Sequence, residues 1–298
     1  MTLQSRKMSK GFLLLVSTLG VVIAFYDPLG ELARLSHRSE LHSHIPLIPM
    51  IAGYLLYQKR KDVFSNAESG LRPGIPLLVL GSTLFIFFRN QRTVLGQNDY
   101  LSLMMCAALI TWIGSFICCL GFRSFRAAAF PALFLLFTIP IPSAVLERII
   151  IFLQQWSAEV SYVFFRLTGM PVCREGFVFN LTGLSIEVAK QCSSIRSSLA
   201  LFITGVLLSG LFLRTMWARG ILLLAAVPLA ILKNGIRIVT LTLLGLYVDE
   251  RFLIDSPLHR RGGIVFFLIA LSLLVAVMWA LRKWERRRDL IRNGGGIS

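Results

Sequence analysis

Apolar residues in this chain gather into long unbroken stretches rather than into the short alternations or amphipathic stripes of a soluble domain. Residues 12–25, 101–121, 127–141, 199–213, 221–247 and 264–281 are almost free of charge, and they approach the ~20 residues that a helix needs to cross a hydrocarbon layer about 30 Å thick. Two shorter stretches, 45–57 and 75–88, can span if tilted or if flanking residues such as Tyr54 and Tyr57 anchor them at the interface. The first stretch follows Arg6, Lys7 and Lys10 as a signal peptide would. Tyr26-Asp27-Pro28 is not a small-residue cleavage pattern, however, so it reads as an uncleaved span. The expected architecture is an all-α polytopic membrane protein with about eight transmembrane helices, in a single domain over residues 1–298.

A ninth apolar segment, residues 145–167, is interrupted by Glu147, Arg148, Gln154, Gln155, Glu159 and Arg166, which are expensive at mid-bilayer. Charge helps to place it. If this segment lies on the membrane surface, the eight spans gather 17 of the 31 basic residues and only four of the 15 acidic ones (Asp62, Glu68, Glu285, Asp289) on one side. That side holds a net +13 of the total +16. The positive-inside rule makes it cytoplasmic, with both termini and a basic tail at 282–298. Residues 145–167 are therefore read as an outer interfacial helix, against the alternative of a polar-lined span within the bundle. After it, VCREGFVFNLTGLSIEVA at 172–189 alternates apolar and polar positions about a Leu181-Thr182-Gly183 turn, which predicts a small β-hairpin. Open strands cannot face lipid, so the hairpin is expected on the outer surface.

Composition changes the picture only in one respect. With 55% hydrophobic and 15% charged residues, the basic excess sets membrane orientation and does not suggest nucleic acid.

Three polar clusters fall toward the outer side under this topology. The first, KQCSSIRSS at 190–198, stands at the mouth of a span. A cysteine becomes nucleophilic where positive potential favours its thiolate, and a helix N-terminus with cations nearby supplies that potential. Cys192 has both, with Lys190 and Arg196 close in sequence. Ser193 and Ser194 are placed to cap the helix and leave amides for an oxyanion. The second cluster, KNGIR at 233–237, interrupts an apolar stretch. Arg237 there suits a carboxylate or an oxyanion, or a structural ion pair with Glu187 or Asp255, and Asn234 with Gly235 is expected to loosen the helix. The third cluster holds His259, an imidazole suited to act as base and then acid. Cys106, Cys118 and Cys119 read as packing residues, and Cys173 as a possible disulfide partner of Cys192. His37, His42 and His44 read as surface histidines, since their spacing completes no metal site; no cofactor or metal is expected. On the residues alone two other classes stay open. One is a transporter or polysaccharide-export subunit that binds an anion through Arg237 and Lys233, and the other is a membrane acyltransferase that uses the histidine.

The order of Cys192 in VAKQCSSIRSS, Arg237 in NGIRI and His259 in HRRGG resembles the exosortase/archaeosortase family of integral membrane cysteine transpeptidases. SHIPLIPMIAGYLLY at 43–57 is similar to that family's early Ser-His motif, and GMPVCREGFVFNLTGLSIEVAKQC at 169–192 to the hairpin before its nucleophile. The resemblance implies an inner-membrane cysteine protease or transpeptidase whose site faces the periplasm. Its partners would be exported proteins ending in a Pro-Glu-Pro-like (PEP-CTERM-like) motif, an apolar helix and basic residues, and its activity would be linked to exopolysaccharide production. Cys192 would be the nucleophile, Arg237 the oxyanion stabiliser and His259 the proton carrier, with Ser193, Ser194, Arg196 and Asn234 in support. One departure stands out: that family often has glycine two residues after the cysteine, where this chain has Ser194.

Overall fold

The computed structural model describes residues 3–65, 67–68, 70–181, 183–188, 194–249, 251 and 257–294, with the backbone alone at 3–9, 257–262 and 291–294. Two compact units, Met1–Val145 and Leu146–Ser298, divide the chain.

In the first unit α1 (Leu3–Ala24) is followed, across a 75° bend at the buried Phe25, by α2 (Tyr26–Arg38). The Phe25 ring packs on Phe85 with centroids 4.5 Å apart. Next come α3 (Leu47–Gln58), α4 (Arg60–Ser65), α5 (Leu71–Arg89), α6 (Gln97–Leu120), α7 (Phe122–Ala127) and α8 (Ala129–Phe134). The α5–α6 pair is the tightest contact of this unit, and small residues make it possible. A Cβ on Gly81 would lie 2.7 Å from Thr111 N, and one on Gly114 would lie 2.6 Å from Leu78 N. Backbones this close gain dispersion contacts that bulky side chains forbid, the usual device of helix pairs in lipid.

The expected eight spans are not all present as single helices. Among the described residues, five helices are long and apolar enough to cross a membrane: Leu71–Arg89, Gln97–Leu120, Ile195–Phe212, Met216–Tyr247 and Gly263–Leu290. Two bent pairs, Lys10–Ala24 with Tyr26–Arg38 and Ala129–Thr138 with Ser143–Leu167, raise the number to seven if each is one span. The stretch at 45–57 forms only the 12-residue α3, about 18 Å long. The stretch at 127–141 breaks into α7's last residue, α8 and a 3₁₀ turn at Leu135–Thr138. Pro140 and Pro142 have no amide hydrogen with which to continue a helix. Side chains at the start of α6 hold that segment instead: Ser102 Oγ donates to Pro140 O at 2.6 Å and Asn98 Nδ2 to Ile141 O at 2.7 Å, while Asp99 Oδ1 accepts from Ser143 N at 2.6 Å.

His42 is not at the surface, as its sequence context suggests, but buried, with Nδ1 2.9 Å from Ser39 Oγ. Burial pushes the imidazoles of both His42 and His44 below the ordinary 6.5, because the charged form loses its hydration. The unfolded chain then binds more protons than the folded one just below pH 6.5. The stability these neutral rings contribute is therefore full above that pH and is lost as pH falls through the folded values. In detergent, the midpoint of thermal unfolding is expected to drop between pH 7.5 and 5.5, with a shallower drop in His42→Gln/His44→Gln; equal slopes would contradict this.

In the second unit α9 (Ser143–Leu167) leads into β1 (Val172–Glu175), β2 (Val178–Leu181) and β3 (Leu184–Glu187). These form a three-stranded antiparallel sheet in the order β1-β2-β3 rather than the two-stranded hairpin expected. Gly183, at φ 89°, stands where the sequence places a turn, with Leu181 opposite Leu184. The additional turn is Gly176-Phe177, with Gly176 at φ 63°, the first position of a two-residue hairpin loop that glycine favours. Phe165 of α9 and Phe179 of β2 are fully buried with ring centroids 5.6 Å apart. Together with Ala158, Leu181, Val188 and Val239 they form the core between sheet and helices. Arg174 on β1 grips Glu159 on α9 through two contacts, 2.9 and 3.0 Å, and this partner holds the Glu159 carboxyl below its ordinary range. Polar residues that would be costly in a lone membrane helix thus serve to seat the sheet.

The unit is completed by α10 (Ile195–Phe212), α11 (Met216–Tyr247) and α12 (Pro257–Gly294). Ala218, Leu222, Ala226 and Ala230 recur every four residues on α11 and bury against Leu201, Ala270, Leu274 and Met278. That spacing keeps one face of α11 narrow enough for close packing. Contrary to the loosening expected at Asn234-Gly235, α11 is one continuous helix of 32 residues.

Candidate active site

Where α10 begins, three helices are joined by a chain of polar side chains. Arg237 Nη1 on α11 donates to Ser194 Oγ at 3.0 Å, and that hydroxyl donates onward to Asn234 Oδ1 at 2.5 Å. Asn234 Nδ2 donates in turn to Ser157 Oγ on α9 at 2.9 Å. Asn234 is 1% exposed and Ser157 fully buried. Lys233, the residue before Asn234 and also buried, donates to Ser197 Oγ on α10. Buried groups of this kind are costly unless satisfied, so the chain fixes the rotamer of Arg237 and the spacing of α9, α10 and α11 together.

Gly235 permits the close approach. A Cβ there would sit 2.5 Å from Val160 Cγ1 and 3.1 Å from Val160 Cβ, and the β-branched valine has no rotamer freedom in a helix with which to retreat. Any larger residue would push α11 from α9 and pull Asn234 off Ser157. Gly235 thus acts through packing and not through helix loosening.

Ser194 is the non-glycine residue with positive φ among those described, at φ 51° and ψ 31°. It stands at the N-cap of α10, but its hydroxyl does not cap the helix as the sequence suggests. The left-handed backbone turns the side chain toward α11, and only the Ser194 carbonyl serves the first turn, accepting from Ser198 N at 2.9 Å and Ser197 Oγ at 3.1 Å. A left-handed residue costs about 1–2 kcal/mol unless it is glycine, a cost that Ser194 carries here. Just after β3, Gln154 Nε2 donates to Val188 O at 2.6 Å, and Val188 N donates to Phe177 O at 2.9 Å.

Of the residues singled out in the sequence, Ser194, Asn234 and Arg237 are brought into direct contact. Arg196 is exposed on the first turn of α10. Cys192, Ser193 and Lys190 lie outside the described residues, and so does the side chain of His259, whose backbone belongs to the first turn of α12. Cys173 is a free, exposed thiol on β1. Sequence reasoning missed Ser157 and the role of Gln154. Their signal was the spacing of Gln154, Ser157 and Ser161, one face of α9, all buried.

A family model described as transmembrane exosortase (Exosortase_EpsH) matches residues 36–276 of the 298. The chain belongs to the exosortase family. The exosortase match takes in most of the first unit and the second from its first residue to the middle of α12, so Cys192, Ser194, Asn234, Arg237 and His259 all fall within it. Comparisons with curated proteins and with solved structures found no match.

The Ser194 hydroxyl and the Ser194 backbone are separable by substitution. Ser194→Ala removes the acceptor of Arg237 and the donor to Asn234 while keeping the left-handed cost; Ser194→Gly removes the same hydroxyl and relieves that cost. Both are expected to lower activity roughly tenfold, with Ser194→Gly the more heat-stable of the two. Equal unfolding midpoints, or full activity in either, would contradict the assignment.

Proposed function

We propose that this exosortase-family protein is a membrane-embedded cysteine protease or transpeptidase that cleaves C-terminal sorting signals of exported proteins, with Cys192 as nucleophile, Arg237 at the oxyanion and His259 carrying protons. The observation that supports this best is the Arg237–Ser194–Asn234 chain, which fixes a guanidinium beside a residue only two positions after the thiol. Covalent geometry keeps the Cα atoms of Cys192 and Ser194 within about 7 Å. The described residues on either side of Cys192 in sequence are both tied down, Val188 to α9 through Gln154 and Ser194 to α11 through Asn234.

The chemistry runs in two steps. The Cys192 thiolate attacks the scissile carbonyl carbon, and the carbonyl oxygen takes up negative charge facing the Arg237 fork. Collapse breaks the C–N bond, and the departing amine takes its proton from the His259 imidazolium, leaving a thioester on Cys192. Water, or an amine or hydroxyl of an acceptor, then gives a proton to neutral His259 and attacks the thioester, and the thiolate is released. The electropositive N-terminus of α10, which starts at Ile195, lowers the energy of both the thiolate and the oxyanion.

The substrate side follows from the membrane setting. A tail with an apolar helix and terminal basic residues, oriented in the bilayer by its charges, enters laterally between the spans and presents the preceding motif to Cys192. A reporter with a Pro-Glu-Pro-like motif, an apolar helix and a basic end tests this in membranes with and without the protein. Cleavage that requires the protein and is lost when the apolar helix is removed is the expected result. Cleavage independent of the apolar helix would contradict membrane presentation.

A further inference from the structure

At the opposite end of α10 from Ser194, the α10–α11 turn and α12 enclose a cavity of about 190 Å³ lined by Phe212, Arg214, Arg282, Glu285, Arg286 and Asp289. Two carboxylates among three guanidiniums would make it nearly neutral if all were free to act. The Glu285 carboxylate, however, is 5% exposed and committed to the turn: it accepts from Arg214 N at 3.2 Å, from Thr215 N at 2.8 Å and from Thr215 Oγ at 2.5 Å. Asp289 is drawn to Arg214, 3.6 Å away. Neither Arg282 nor Arg286 forms an ion pair with a described residue, and Arg282 lies over the Phe212 ring at 5.6 Å. Two guanidinium forks thus line a cavity whose carboxylates are engaged elsewhere.

The surroundings are apolar and aromatic, and they are exposed. Leu211, Phe212, Met216 and Trp217 stand at the end of α10 and the start of α11 with 45%, 39%, 76% and 82% of their surface open, and Trp284 on α12 with 46%. Both helices are long and apolar enough to span a bilayer. Tryptophans and arginines at the ends of such helices mark the headgroup level of a membrane. Cation forks set there beside apolar side chains match a phosphodiester with acyl chains attached, which a free anion in water would not need.

We infer that the cavity between the α10–α11 turn and α12 binds the phosphate of an anionic phospholipid, held by the forks of Arg282 and Arg286 with its acyl chains against Leu211, Phe212 and Trp217. A lipid seated there braces the turn that Glu285 already holds, and so the register of α10, α11 and α12. This site is independent of the proposed chemistry at Cys192.

Full-length protein in detergent, titrated with phosphatidylglycerol or phosphatidylcholine and read by native mass spectrometry, tests the inference. Wild type is expected to retain phosphatidylglycerol over phosphatidylcholine, with Arg282→Gln/Arg286→Gln weakening that retention about tenfold. Arg287→Gln/Arg288→Gln, which removes the same charge beside the cavity, should leave it unchanged. Thermal unfolding of each variant is followed in the same samples, and added phosphatidylglycerol should raise the midpoint of wild type but not of the Arg282/Arg286 variant. Equal retention by all three proteins, or equal loss in both double variants, would overturn the site. Displacement of the lipid by millimolar inorganic phosphate would overturn its assignment to a phospholipid.

Discussion

Cys192→Ala is expected to abolish processing of a sorting-signal reporter, by about 10⁴-fold or more, while the protein still inserts and unfolds at the temperature of wild type. The effect is large because in the proposed reaction the thiolate sulfur is the atom that forms the bond to the substrate. Ser193 and Ser194 follow in sequence, but the Ser194 hydroxyl is engaged by Arg237 and Asn234, and an unactivated hydroxyl has a much higher pKa than a thiol. The folding cost should be small, since replacing a thiol by hydrogen removes the nucleophile and little volume. Rates are measured in membranes by the loss of full-length reporter. Unchanged processing would exclude the thiol, and processing that falls only with protein abundance would assign it a structural role.

Arg237→Lys is the second large effect, a fall of about 10²–10³-fold in turnover. Charge is conserved, so any account that needs only a cation near the site predicts little change. The fork matters for a geometric reason: one arm is held by the Ser194 hydroxyl at 3.0 Å, which fixes the plane in which the guanidinium presents its N–H groups. A lysine ammonium has donors but no fixed plane, and it cannot be held by one contact and aimed by it. Binding of the reporter should change less than the rate, because the contact strengthens as charge develops. A variant that turns over normally would remove Arg237 from the reaction. A variant that binds the reporter poorly but turns over bound reporter normally would make the arginine a docking residue.

How far the sequence disclosed this molecule depends on the range of each interaction. Helices α5, α6, α10, α11 and α12 are legible in the apolar stretches because burial in lipid is a property of a segment by itself. The turn at Gly183 is legible because that glycine, at φ 89°, satisfies a local backbone demand. The break at 135–142 has a local cause in Pro140 and Pro142, but the side chains that hold it, Asn98, Asp99 and Ser102, lie about forty residues earlier. The extra turn at Gly176 was hidden because the alternation of apolar residues continues through it. Arg237 was visible as a costly charge in an apolar stretch. Its supports were not: Ser157 is 77 residues from Asn234 and Ser194 is 43 from Arg237, and the left-handed backbone of Ser194 arises from what its hydroxyl reaches.

The central claim is that the reaction passes through a covalent intermediate on Cys192, and the most direct measurement is to catch it. Purified protein mixed with reporter, quenched in acid within the first turnover and digested, is analysed by mass spectrometry. The account predicts the N-terminal part of the reporter attached to the peptide containing Cys192 through a bond that hydroxylamine cleaves. Turnover of the reporter with no such adduct, or with the adduct on another residue, would contradict it.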